Sequence, residues 1–120
     1  MRHRKNFYKL KRKRSHRKCL LSNLAYNLIK YKIIRTTLIK AKSLRQYLEP
    51  ILTKSKINTI NNIRLVLKYL KNKVIINYLF NKIGPIIKKR NGGYLRIIKT
   101  NNRIGDNSKM ALIMFVDKIL

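Results

Sequence analysis

The chain has 120 residues and a mass of 14.3 kDa, with 31 lysines and arginines against three carboxylates, a formal net charge of +28 and a pI near 11.1. That length excludes a second large domain, and one unit with a radius of gyration of roughly 13 to 14 Å is expected. On a sphere of about 17 Å radius screened over about 8 Å, such a charge has a self-energy on the order of 30 kcal/mol, above the stability of about 5 to 15 kcal/mol of a typical domain. The unfolded chain repels itself too, so only part of that sum opposes folding, but a surface this basic gains much from a dense polyanion. Nucleic acid is the leading partner class. Hydrophobic residues make up 45% of the chain, ordinary for a globular protein, so the charge belongs to a sequence that can still build a core. The single cysteine, Cys19, excludes an internal disulfide and a cysteine zinc cluster. The longest purely apolar run, Met110 to Val116, is far below the roughly 20 residues of a membrane-spanning helix.

Residues 1–18 hold ten lysines and arginines, both histidines and no carboxylate. This segment is read as a basic RNA-binding arm ahead of a globular domain over residues 19–120. It cannot bury enough apolar surface to order itself, so it is expected to fold only against its ligand. Its apolar residues Phe7, Tyr8 and Leu10 cluster and make no amphipathic face, which argues against a cleaved presequence. From Ser15, a candidate N-cap, the residues Leu20, Leu21, Leu24, Ala25, Leu28 and Ile29 recur at the spacing of one helical face. Ile33 to Thr37 is short and β-branched and predicts a strand, with Thr37 placed to cap a second helix through Leu38, Ala41, Leu44, Leu48 and Ile51. Pro50 inside that pattern predicts a kink. Asn58 or Thr59 caps a third helix carrying Ile60, Ile63, Leu67 and Leu70, and Asn72 a fourth carrying Ile75, Tyr78, Leu79 and Ile83, with Gly84-Pro85 closing the helical section. Tyr94 to Thr100 and Lys109 to Asp117 then read as two strands of a hairpin joined by a long polar loop. Met110 to Val116 is apolar on both faces, so its strand is either central or covered by another molecule. The fold class is therefore α+β: about four helices packed in two layers on a small three-stranded mixed sheet, with a basic N-terminal extension.

Catalytic machinery has little support. Glu49, Asp106 and Asp117 fall in three different elements, which leaves no paired-carboxylate site. His3 and His16 lie among cations that disfavour metal binding. Cys19 is expected to pack in the core, as free cysteines usually do. Asn91-Gly92-Gly93 lacks the Gly-Lys-Ser/Thr ending of a phosphate-cradling loop and reads as a glycine turn. No catalytic residue, metal or cofactor is assigned. RNA binding, by contrast, uses what the chain has in quantity. Lysines and arginines neutralise phosphates and release counterions, and the planar arginine fork both grips phosphate and stacks on unpaired bases. Arg2, Arg4, Arg12, Arg14 and Arg17 are the favoured contacts, with His3, Tyr8 and His16 as stacking surfaces. Tyr26, Tyr47, Tyr69 and Tyr78 on the helices are expected to pack. A histone-like DNA-compacting protein is the alternative reading of the charge, and a membrane-active basic helix a weaker one.

Several fragments share an order and spacing across the whole chain: Met1-Arg2-His3-Arg4-Lys5, Ser15-His16-Arg17, Thr36-Thr37-Leu38, Lys40-Ala41-Lys42, Leu48-Glu49-Pro50, Gly92-Gly93-Tyr94 with Arg96-Ile97, Arg103 before Gly105-Asp106-Asn107, and Met110-Ala111. In these the chain resembles bacterial large-subunit ribosomal proteins of the L-seventeen family. The resemblance implies a non-enzymatic constituent of the large ribosomal subunit in the cytoplasm, which binds and stabilises large-subunit ribosomal RNA during assembly and in the mature ribosome. It further implies an arm buried in that RNA and a place toward the peptide-exit side, beside members of the L-thirty-two and L-twenty-two families. The RNA-binding residues expected on these grounds are Arg2, His3, Arg4, Lys5, Lys11, Arg12, Lys13, Arg14, His16, Arg17, Arg35, Lys40, Lys42, Arg45, Arg96 and Arg103.

Overall fold

The computed structural model describes residues 7–119. Helix α1 (Arg14–Tyr31) forms where Leu21, Leu24, Ala25, Leu28 and Ile29 make one apolar stripe, and Ala25, Leu28 and Ile29 are fully buried. It starts at a Lys13 N-cap rather than at Ser15, without a side-chain cap, because Arg14 and Ser15 are ordinary helix formers that give no reason to stop short. The helix ends at Lys32, held left-handed at φ 70°, whose N–H reaches the Leu28 carbonyl at 2.8 Å. Strand β1 (Ile33–Thr37) follows at once.

Thr37 occupies the N-cap of α2 (Leu38–Ser55), but its hydroxyl caps nothing; the first helical N–H, of Leu38, donates to the Lys109 carbonyl at 2.9 Å instead. The helix runs on through Pro50 to Ser55. Proline removes one backbone donor there, but Ile51 and Leu52 are both buried and hold the last turn against the core. Helix α3 (Ile60–Leu70) is capped by Thr59, whose Oγ accepts from Asn62 N at 3.2 Å. Asn72 Oδ1 caps α4 (Lys73–Tyr78) by accepting from Val74 N and Ile75 N.

Gly84-Pro85 does not close the helical section. The chain widens into a π turn over Leu79–Ile83 and continues as α5 (Gly84–Ile87), with Pro85 in its first turn. The wider turn carries the chain into proline, whose ring would clash with a carbonyl four residues back in a regular helix, while the first turn tolerates its missing N–H. Gly84 is helical, so its lack of a side chain serves packing: a Cβ there would overlap the backbone carbonyl oxygen of Ser55 at the end of α2.

Strands β2 (Leu95–Lys99) and β3 (Met110–Phe115) form the hairpin, and the sheet order is β1-β3-β2. Both pairings are antiparallel, with Arg35 opposite Leu112 and Arg96 opposite Met114. The sheet is thus not mixed: β1 and β2 run the same way but never touch, because the doubly apolar β3 takes the middle position. Ala111, Ile113 and Phe115 point into the helical layer, and Met110, Leu112 and Met114 to the uncovered face.

Replacing Gly84 by Ala forces the π turn and the end of α2 apart, and is expected to destabilise the chain by about 1 to 3 kcal/mol. A thermal melt of the full chain followed by circular dichroism checks this; a midpoint equal to wild type would show that the contact carries no strain.

Candidate nucleic-acid interface

All three side-chain carboxylates are taken up internally by arginine. Arg90 Nε and Nη2 donate to Asp117 at 3.1 Å each, Arg103 Nε donates to Asp106 at 2.9 Å, and Arg45 Nε lies 3.8 Å from Glu49 Oε1, which also accepts from Leu95 N. The Arg103 fork, with Ser108, holds the Asp106 carboxyl well below the usual carboxylate range, and the Arg90 fork lowers Asp117 against the opposing effect of burial. No carboxylate side chain is left to neutralise the formal +28. That charge needs an external counter-ion.

One groove, of about 520 Å³, gathers the expected residues Lys11, Arg12 and Lys40. They converge because a left-handed turn at Leu10 and Lys11, with φ of 57° and 52°, folds the segment before α1 against the start of α2. Arg12 Nη1 donates to the Leu10 carbonyl at 2.9 Å, while its buried Nε has no partner among the described residues. Lys109, Thr37 and Ser108 line it too, with Leu10, Leu38 and Ile39 as its apolar wall. The first turn of α2 opens here, so unpaired helical N–H groups add to the positive potential.

The groove leads onto the uncovered sheet face. Thr37 and Arg35 alternate with inward residues along β1 and share that face, and Arg96 reaches it from β2. Between them lie Leu112 and Met114, flanked by Ile33 at 43% and Ile98 at 41% exposure. The other expected residues are dispersed. Lys13, Arg14 and His16 are exposed at the start of α1, and Arg17 there lies 5.4 Å above the Phe7 ring. Lys42 and Arg45 lie on the outer side of α2, the latter beside Glu49, and Arg103 is engaged in bracing its loop. Arg2, His3, Arg4 and Lys5 lie outside the described residues.

A second, larger cleft of about 820 Å³ runs between α1, α2 and the α3–α4 turn, and Lys18, Lys68 and Lys71 line it. Cys19 lines it too and is exposed, not packed in the core. It sits two residues from Leu21, about 200° around the helix from the buried stripe. Tyr47 braces the back wall: its hydroxyl donates to the Tyr69 carbonyl at 2.9 Å and its ring meets the Tyr69 ring edge-on at 5.9 Å. Burial, more than the neighbouring Tyr69, pushes the Tyr47 phenol up to about 12. Among the described residues no cluster of His, Cys, Asp or Glu is placed to hold a metal ion, and no helix is long and apolar enough to cross a membrane.

Comparison with known proteins shows the family. The family model described as "Ribosomal protein L17" matches residues 20–116. The chain belongs to the ribosomal protein L17 family. A large ribosomal subunit protein bL17 from Wigglesworthia glossinidia brevipalpis is 51% identical over 117 residues, 98% of this chain and 96% of the relative. Proteins of the same name from Bacteroides thetaiotaomicron and Flavobacterium johnsoniae are 50% and 48% identical, each over 98% of this chain and 72% of the relative.

Within this L17-family chain, sequence reasoning missed Lys109, Thr37 and Ser108 in the groove and Lys18, Lys68 and Lys71 in the cleft. A register signal for Lys109 existed, since it directly precedes the strand residue Met110 that pairs with Thr37. The cleft had none, because its walls come from three helices whose packing angles the sequence does not print.

The raised phenol has a sign that can be checked. Burial favours the neutral form of Tyr47, so the stability it contributes is complete below the ordinary value of 10.0 and is lost as pH rises toward about 12. An alkaline titration read by tyrosinate absorbance should show a late component near pH 12. Tyr47→Phe should abolish that component and flatten the accompanying loss of fold; an unchanged titration would refute the assignment.

Proposed function

We propose that this chain is a structural constituent of the large ribosomal subunit that binds large-subunit ribosomal RNA and stabilises it during assembly and in the finished particle. The observation that carries the reading is electrostatic. Every side-chain carboxylate is committed to an internal arginine, and the surplus cations surround a groove and an open sheet face. A phosphate seated in the groove would meet Lys11, Arg12, Lys40 and Lys109 together with the open end of α2. Arg35 and Arg96 extend the same positive band across the sheet.

The likeness to bL17 proteins over nearly the whole chain favours RNA over the DNA that a histone-like compactor would bind. The basic segment ahead of α1 continues the contact into the RNA, and cations there neutralise phosphates that would otherwise repel one another as the RNA compacts. Neighbours of the L-thirty-two and L-twenty-two families at the peptide-exit side belong to the same proposal. The role is scaffolding.

Two measurements test it. Log affinity for a large-subunit ribosomal RNA transcript should fall linearly with log salt, and each of Lys11→Gln, Arg12→Gln and Lys40→Gln should make that slope shallower by about one phosphate contact. A flat salt response, or equal affinity for random duplex DNA, would reject the proposal. Removal of residues 1–12, which leaves the Lys13 cap of α1 in place, should reduce incorporation into large subunits assembled in vitro. Full incorporation of the shortened chain would remove the arm from the mechanism.

A further inference from the structure

The larger cleft is unlike the groove in chemistry, and no cation expected from sequence to bind RNA, His16 or Arg17 included, lines it. Three lysines stand around it, from α1, α3 and the turn after α3, and no carboxylate is among its lining residues. Its walls are phenol rings. Tyr69 lies on an amphipathic helix yet is 42% exposed, so core packing does not account for the ring. Tyr26 stands on the facing wall, from α1. Lys54 sits over Tyr69 at 5.6 Å and Lys30 over Tyr26 at 5.9 Å, so cations already accompany both rings. Ser22 and Asn23 bring a hydroxyl and an amide to the same space and make no side-chain hydrogen bond among the described residues. The Tyr47 brace fixes the back of the cleft to the α3 backbone, so the walls are held in place before anything enters.

Lys71 adds a backbone observation. It is held left-handed at φ 56° where α3 ends, a position that favours glycine. Its side chain lines this cleft.

We propose that this cleft seats an unpaired nucleotide of RNA, its base against the exposed Tyr69 ring, its edge read by Ser22 and Asn23, and its flanking phosphates on Lys18, Lys68 and Lys71. The inference rests on the RNA-binding role proposed above and adds to it a site for a flipped or looped-out base, distinct from the phosphate groove. The volume of about 820 Å³ falls in the range of about 300 to 1,000 Å³ of small-ligand pockets. A nucleotide is the occupant that uses every wall: a flat π face for the phenols, hydrogen-bonding edges for the amide and hydroxyl, and an anion for the rim. An acidic protein segment is the competing occupant, and it would shield Cys19 only in the intact subunit.

The chain carries its own reporter in Cys19, its single cysteine, which is exposed and lines the cleft. The full-length protein is alkylated with iodoacetamide alone, bound to a large-subunit ribosomal RNA transcript, and within intact large subunits. Cys19 should be protected on the transcript as well as in the subunit. In parallel, Tyr69→Leu should weaken transcript binding on the order of tenfold with an unchanged salt slope, Tyr69→Phe should bind as wild type, and Lys71→Gln should lower the slope. Circular dichroism establishes that the variants are folded; if Tyr69→Leu is not, the Cys19 footprint on the wild-type chain decides alone. Bound wild-type protein whose Cys19 reacts at the free rate overturns the proposal, as does Tyr69→Leu that binds undiminished. Protection seen only in intact subunits also overturns it, in favour of a protein occupant. Failure of the wild-type chain to bind the transcript at all would instead bring down the RNA-binding role itself.

Discussion

Helix α2 is enclosed by the sheet on one side and by the other helices on the other, and the rest of the molecule is positioned against it. Ala41, Leu44, Leu48, Ile51 and Leu52 are at most 1% exposed, and the helix touches all three strands as well as α1, α3, the π turn and α5. The small residues Ala41, Ser43 and Ser55 are buried alongside them. Ser55 marks the closest approach, where the bare backbone of Gly84 lets the π turn settle on the last turn of α2. The elements packed around α2 supply the rest of the core, and their outward faces carry the cations.

The acidic residues serve the same end. Each one closes a different part of the fold: Glu49 ties α2 to the start of β2, Asp117 ties the end of β3 to the segment after α5, and Asp106 tightens the hairpin loop. These are structural uses, and they leave no carboxylate to oppose an incoming polyanion. With the carboxylates so engaged, what separates one basic region from another is its shape and its neighbours. The groove before α2 concentrates point charge, the sheet face adds aliphatic area between two arginines, and the cleft beside α3 adds phenol rings.

Much of this architecture was legible in the residue pattern. The helical stripes, the Thr59 and Asn72 caps, the short β-branched strand and the glycine-bounded hairpin all follow from local side-chain chemistry, and the structure places them where that chemistry predicts. The doubly apolar β3 is central in the sheet, and its outer row also lies on a face that no helix covers among the described residues. Where reading along the chain went astray, a distant partner decided the outcome. Gly84-Pro85 looks like a stop because glycine and proline usually are, but Ser55, 29 positions earlier, uses the glycine for contact. Thr37 looks like a cap, but the Lys109 carbonyl reaches the Leu38 N–H. Cys19 looks like a core residue by type, but the rotation of α1 turns it outward.

Of the surface, the sequence determined the sign and the amount of charge, because ionisable groups count the same wherever they sit. It also determined the fold class, since periodicity is a local property. Which cations act together was decided only in three dimensions. Lys11, Arg12, Lys40 and Lys109 meet because a left-handed turn, a strand register and a helix start converge, whereas Arg103 and Arg45 sit beside a carboxylate of their own segment. Electrostatic attraction to a polyanion sums over the whole surface, but a site is a matter of distance, and distances between remote residues are set by packing.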